Sequence, residues 1–401
     1  MNKKVLLLII LAVAIMVLPI AYWTNSQIKG EFISVDGIEN FLPNVNNRAG
    51  DYLLFYPTDW RVSQEYTLLK EVTKTGKEVK KYKIIDDEFT RMIPNQKANN
   101  MNQLYLSFFG DAEIDNYYFT YDIQNNSFKK VELNYFDYKV GIDHLAHYGN
   151  DIIFQTNTSH KTGDQNYDEK SGGFNVSVSN ATTQKSFETE YNRSPAFTPI
   201  LHFREKIIYG TNATLGDNDN YEEHGIAIAD IDKGSVRYET FGTKNVELIP
   251  VFSTNEYAYI IGDNGNMYVY DQDLQYKTYK PFKNLPKQQY YDIQENGQLA
   301  LDEQRILYCL RGIGEEDKYS LGVLNLKDEP VFEIFNEDFA NTESWYEPLY
   351  QNVEEKEIYI KERSNNKKNN NIIVMDSESL KVKAEFPVSY NHLLDLVVKI
   401  K

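Results

Sequence analysis

Residues 256–280, EYAYIIGDNGNMYVYDQDLQYKTYK, hold a short apolar strand, a polar loop, a second strand ending at Asp271, a tight turn and a third strand. Apolar runs rich in β-branched and aromatic residues, broken by Gly, Asn and Asp, are strand and turn signals. The same unit stands in KIIYGT (206–211) with GIAIADIDKGSVRYETF (225–241), and in KEIYIKE (356–362) with NIIVMDSESLKVKAEF (371–386). Seven openings, at Asp51, Gln103, Asp151, Lys206, Glu256, Arg305 and Lys356, keep a spacing near ~50 residues. A chain of 401 residues is therefore counted by its period, as one repeat array, rather than divided by length. With 31 Tyr and 21 Phe the composition favours pleated, half-buried surfaces, and the class is all-β.

The turn after the second strand is the most repetitive element: DIQNNSF, SNATTQKSF, DIDKGSV, DQDLQY, NLKDEPV and DSESLKV, with VTKTGKEV in the first unit. Asp or Asn there bonds its own backbone, and Gly or Asn accepts positive φ, so turn chemistry accounts for these carboxylates without a ligand. Ahead of each first strand lies a fourth segment, marked by Pro43, Pro94, Pro199, Pro250 and Pro348. Proline cannot donate to a ladder, which assigns it to an edge strand. The third and sixth units carry GIDHLA and YYDIQ instead, and His144 takes the proline's place.

Four strands per unit and seven units resemble a seven-bladed β-propeller of four-stranded antiparallel blades over roughly 30–401. The pattern IIYGTN…GIAIADID is most similar to bacterial surface-layer and quinoprotein-like (YVTN-like) propellers. The resemblance implies the fold alone. The Trp-Asp ending of WD40 repeats, the kelch double glycine, the sialidase Ser-x-Asp box and the tryptophan-docking motif of quinone-dependent dehydrogenases are not found. A count of six or eight stays open, as does closure: 41–45 and 392–400 are both candidates for the inner strand of the first blade.

Asn2, Lys3 and Lys4 precede an uncharged apolar run, 5–23. Nineteen residues at ~1.5 Å each cross about 30 Å of hydrocarbon as a helix. The expected organisation is a cytoplasmic tail (1–4), a transmembrane signal-anchor (5–23), a linker with an entry strand (24–35) and an extracytoplasmic propeller (36–401). A cleaved signal, giving a secreted protein, is the alternative. The net charge of −17 argues against nucleic acid as a partner. The lone Cys309, in RILYCL, reads as a small buried hydrophobe.

Counted from the innermost strand of a blade, the loops joining second and third strands, which follow the first apolar strand of each unit, share one face of such a ring. An acidic rim is expected there from Asp111, Asp115, Asp164, Asp168, Asp217, Asp219, Glu222, Glu223, Glu315 and Glu316, broken by Lys361 and Arg363 in the loop KERSNNKKNNN, 361–371. Simple surface charge is the competing account. Asp217, Asp219 and Glu222 suggest calcium, although Tyr221 occupies a ligand position and the EF-hand glycine is missing; otherwise no cofactor is expected. Asp143 and His144, with His147, are candidates at the channel mouth, though strand spacing of three does not converge two histidines. Trp345 and Tyr346 offer stacking or interblade packing.

These features point to a membrane-anchored extracytoplasmic propeller that binds or scaffolds a protein, peptide or glycan through its loop face. A cell-envelope hydrolase or lyase with a site at the channel mouth, and an accessory subunit of a membrane complex, are the alternatives.

Overall fold

The repeated turns form as their side chains dictate. Asp271 Oδ1 accepts the N–H groups of Asp273 (3.0 Å) and Gln275 (2.9 Å), and Asp376 Oδ1 accepts those of Glu378 (3.2 Å) and Ser379 (2.7 Å). Asp122 and Asp230 do the same for Asn125 and Lys233. Three residues after Asp271, Leu274 has φ 56°, and four after Asp376, Leu380 has φ 57°, a backbone that Gly or Asn accepts more readily. Both leucines pack against the apolar core, which offsets the ~1 kcal/mol cost of a left-handed backbone.

A computed structural model describes residues 31–34, 48–56, 66–85, 91–94, 103–109, 117–123, 125, 127–132, 140–148, 152–159, 174–179, 184–188, 193–195, 198–214, 221–230, 232–241, 246–285, 290–313, 319–341, 343–364, 370–388 and 394–400. Among them, seven sheets follow in order. The first holds β1 (Glu31–Ser34), β2 (Tyr52–Tyr56), β3 (Thr67–Val72) and β4 (Glu78–Ile85). The second holds β5 (Arg91–Pro94), β6 (Gln103–Phe109), β7 (Tyr117–Asp122) and β8 (Ser127–Glu132), and the third β9 (Val140–Tyr148), β10 (Ile152–Ser159), β11 (Phe174–Ser179) and β12 (Gln184–Glu188). The fourth holds β13 (Arg193–Pro195), β14 (Leu201–Phe203), β15 (Lys206–Thr214), β16 (Tyr221–Asp230) and β17 (Ser235–Glu239); the fifth β18 (Leu248–Ser253), β19 (Ala258–Gly262), β20 (Met267–Tyr270) and β21 (Tyr276–Tyr279). The sixth holds β22 (Tyr290–Ala300), β23 (Arg305–Ile313), β24 (Tyr319–Asn325), β25 (Val331–Glu333) and β26 (Ala340–Asn341); the seventh β27 (Ser344–Asn352), β28 (Glu357–Ser364), β29 (Asn370–Asp376) and β30 (Val382–Val388). A final strand, β31 (Leu396–Lys399), returns to the first sheet.

That return settles which segment forms the inner strand: β31 pairs antiparallel with β2, Leu54 opposite Val397, giving the order β1-β4-β3-β2-β31. The other candidate, 41–45, lies outside the described residues, as does 5–23. Among the described residues no helix is long and apolar enough to cross a membrane. At the opposite edge of the first sheet β1 lies parallel to β4, the one parallel pairing among the described strands.

Neighbouring sheets meet through aromatic pairs. Tyr52 of the first sheet stacks on Phe386 of the seventh (5.1 Å), and Phe55 meets Tyr121 of the second edge-on (5.7 Å). Phe241 stacks on Tyr268 between fourth and fifth (4.3 Å), and Phe339 meets Tyr346 between sixth and seventh (5.3 Å). Strands β6 and β9 join the second sheet to the third, β11 and β13 the third to the fourth, and β18 and β22 the fifth to the sixth. The sheets thus pack in a cycle. Tyr346 is interblade packing rather than a free stacking platform, and Cys309 is buried.

The seam between the chain ends carries buried charge. The Arg48 guanidinium donates to the Ile400 carbonyl (2.9 Å) beside β31 and to the Ile123 carbonyl of the second sheet. Next to it, the buried Glu71 carboxylate accepts the N–H groups of Ala49 (3.0 Å) and Gly50 (3.1 Å) and the Tyr82 hydroxyl (2.8 Å). Gly50 approaches so closely that a Cβ would stand 2.8 Å from that of Glu71. Replacing Arg48 with Met removes two charge-assisted bonds and should cost about 2–3 kcal/mol in urea unfolding. A loss below about 0.5 kcal/mol would show that the guanidinium does not hold the seam.

Candidate functional site

One position of the innermost strand recurs through the ring. In each case the residue lies across two ladders from the position three residues before the turn opener. Pro94 stands opposite Leu106, Pro250 opposite Ile260, Pro348 opposite Ile360 and Val397 opposite Leu54. In the third sheet it is His144, opposite Thr156, and in the sixth Gln298, opposite Tyr308, downstream of the YYDIQ segment read from sequence. The β9 ladder passes from Ile142 to His144 and skips Asp143, which is therefore a bulge residue. In β18 and β27 the ladder instead skips the residue after the proline, Val251 and Leu349. His144 and His147 sit in one uninterrupted stretch of the ladder, opposite Thr156 and Ile153.

Two of the residues assigned to the acidic rim are strand residues. Glu222 and Glu223 lie in β16, not in a loop: Glu223 pairs with Ala213, and Glu222 is passed over at a bulge before Tyr221 pairs with Thr214. This hairpin keeps its ladder through polar residues because backbone pairing does not require apolar side chains. With Glu222 in a strand, the proposed calcium turn 217–222 loses the single-loop geometry it was read from. Asp111, Asp115, Asp164, Asp168, Asp217, Asp219, Glu315 and Glu316 lie outside the described residues. Among the described residues, no group of three or more His, Cys, Asp or Glu is placed to hold a metal ion.

Lys361 and Arg363 are likewise strand residues, in β28 opposite Glu347 and Trp345. Charge in the string KERS suggested a loop, yet Lys361 is 5% exposed. Its ammonium pairs with Glu347 (2.6 Å) and donates to the Leu394 carbonyl (2.6 Å), so two of its three protons are placed without water. It pins the entry to β31 rather than facing a ligand. One step along the same face, the half-buried Arg363 guanidinium lies 5.7 Å over the Trp345 ring. On the other face Glu362 accepts from Ser344 Oγ (2.7 Å) and Asn371 Nδ2 (2.8 Å). Glu347 escaped the sequence reading because its partner was assigned to a loop. In the fourth sheet, His224 Nδ1 meets Asn212 Oδ1 at 2.7 Å, at the root of the 215–220 loop.

At the far end of the seventh sheet, Glu357 accepts from the Tyr359 hydroxyl (2.8 Å) and meets Lys383 (3.1 Å) and, on β31, Lys399 (3.7 Å). Burial pushes this carboxyl up, but the Tyr359 hydroxyl and the two ammonium groups outweigh it and hold it below its ordinary value of 4.5. A depressed folded value contributes stability that is present above 4.5 and lost as pH falls through the folded value. Thermal melts from neutral to acid pH should therefore fall less steeply for Glu357→Gln than for the parent chain. Parallel curves would remove Glu357 from the acid transition.

No family model matches the chain, and no curated protein does. Among solved structures it is similar to an apocarotenoid oxygenase from Synechocystis, at 8% identity and TM-score 0.52, covering 87% of this chain and 92% of that one. A structure from a study of two prolyl endopeptidases matches at 11% identity and TM-score 0.50, covering 92% of this chain and 54% of that one. A post-proline cleaving enzyme from Rickettsia typhi matches at 12% identity and TM-score 0.50, covering 83% and 51%. The chain thus spans about half the length of the two peptidases. At such identities the likeness shows the fold alone, and together with the antiparallel four-stranded sheets it identifies a β-propeller.

Proposed function

We propose that the chain is a membrane-anchored, extracytoplasmic propeller of seven blades that binds or scaffolds a protein, peptide or glycan through its loop face. The cyclic packing of seven sheets supports the blade count, and the apolar run 5–23 supports the anchor. The observation that carries the binding role is the Trp345–Arg363 pair at the loop end of the seventh sheet, beside the basic segment 365–369. Trp and Arg dominate interface energetics because one ring and one planar cation bury large area with few rotamers lost. Capture from cell-envelope extracts with the detergent-solubilised full chain should retain a ligand that Arg363→Ala loses by about tenfold. Identical retention by both forms would remove this surface from the binding role.

A second reading is favoured by one observation, the bulge at Asp143 beside His144. Bulges re-aim side chains and occur next to active sites. In an envelope hydrolase or lyase this pair would supply acid–base chemistry at the channel mouth. Release of soluble fragments from purified wall polymer by the parent chain, and not by Asp143→Asn, would establish that reading in place of the first. No release by either leaves binding as the function.

A further inference from the structure

We propose that the turn end of the β3–β4 hairpin in the first sheet lies on an anionic phospholipid surface; this rests on reading 5–23 as an anchor. In a chain of net charge −17, residues 66–85 carry Lys70, Lys74, Lys77, Lys80, Lys81 and Lys83 against only two carboxylates, Glu71 and Glu78. Glu71 is 1% exposed and occupied by Ala49, Gly50 and Tyr82. Glu78 is shared between Lys70 (3.2 Å) and Lys81 (2.7 Å). Asp86, Asp87 and Glu88 follow β4 in sequence and Glu31 stands on β1. The cationic character therefore belongs to the turn end of the hairpin, where within 74–81 Lys74, Lys77, Lys80 and Lys81 stand against Glu78 alone, and a negatively charged plane is the surface that end complements. Lys74 and Lys77 are exposed in the hairpin turn, and Val79, 38% exposed, stands among the lysines as an apolar contact.

The direction of β1 joins this hairpin to the anchor. It runs parallel to β4, from Glu31 opposite Tyr82 to Ser34 opposite Ile85. Its N-terminal end consequently points back along β4 toward Lys81, Lys80 and the turn that carries Lys77 and Lys74. Eight residue steps separate Trp23 from Glu31, a reach of roughly 26–29 Å at full extension. The first described strand thus enters the ring beside these lysines, so a bilayer holding the apolar run lies within reach of them. Attraction between clustered lysines and anionic headgroups acts within a Debye length, about 8–10 Å at physiological salt, and is screened by added salt. The ring is then held by the hairpin of its first sheet, and its loop face is left open.

The test uses the full chain in phosphatidylcholine vesicles and in vesicles with about one-third phosphatidylglycerol, at ~0.05 and ~0.5 M salt. Lysine acetylation rates are read by mass spectrometry. Lys74 and Lys77 should react about fivefold more slowly on the anionic vesicles, the protection vanishing at high salt, while Lys233 of the fourth sheet is unchanged. Lys74→Glu with Lys77→Glu should abolish the protection of Lys80 and Lys81; both replaced side chains are exposed, so folding is spared. Equal rates on the two vesicle types, with the chain floating on both, overturn the proposal and leave the anchor standing. Flotation only on anionic vesicles, with Lys74 and Lys77 protected, overturns the anchor and supports the lipid-binding hairpin. No flotation on either overturns both.

Discussion

The antiparallel ladder between β2 and β31 is the constraint on which the rest of the ring depends. It joins residues 52–55 to 396–399, the two ends of the described propeller, and gives the first sheet the inner strand its own repeat does not supply. Without it, one sheet would expose a fully apolar strand, all five residues of β2 being buried. Several charged groups taken at least partly out of water lie along this seam: Arg48 on Ile400, Lys361 on Leu394, and Lys399 by Glu357. Each tie costs desolvation that its hydrogen bonds or ion pairs offset, and together they fix where the last strand lies. Such a contact between distant parts of the chain carries a loop-closure entropy cost.

The strands and turns were legible because both are written locally. The turn aspartates bond the backbone as their chemistry requires. Loop length was not legible, since a hairpin ladder persists through polar residues: Glu222, Glu223, Lys361 and Arg363 all moved from loop to strand. Lys361 could not have been placed from sequence, because its burial depends on Glu347 and on a carbonyl 33 residues away. Two leucines at positive φ show the same limit, as tertiary packing overrides turn preference there. The choice between two inner-strand candidates needed the long-range pairing itself.

What distinguishes the units from one another is now narrower and better located. The proline position of the inner strand is replaced by His144 and Gln298, with Asp143 on a bulge beside the former. The basic character assigned to a seventh-unit loop resolves into a buried structural lysine and a partly exposed Trp345–Arg363 pair. A lysine-rich hairpin, unnoticed when charge was summed over the chain, belongs to the same sheet that receives both chain ends. Closure is made on the first sheet, on which the proposed tether and lipid contact also fall.

Amide hydrogen exchange of the full chain, read residue by residue over β31, tests closure most directly. The ladder-bonded amides of 396–399 should exchange as slowly as those of the buried central strand β19, because both open only when the ring unfolds. Exchange of the same amides at the rate of a free tail, while β19 stays protected, would contradict closure.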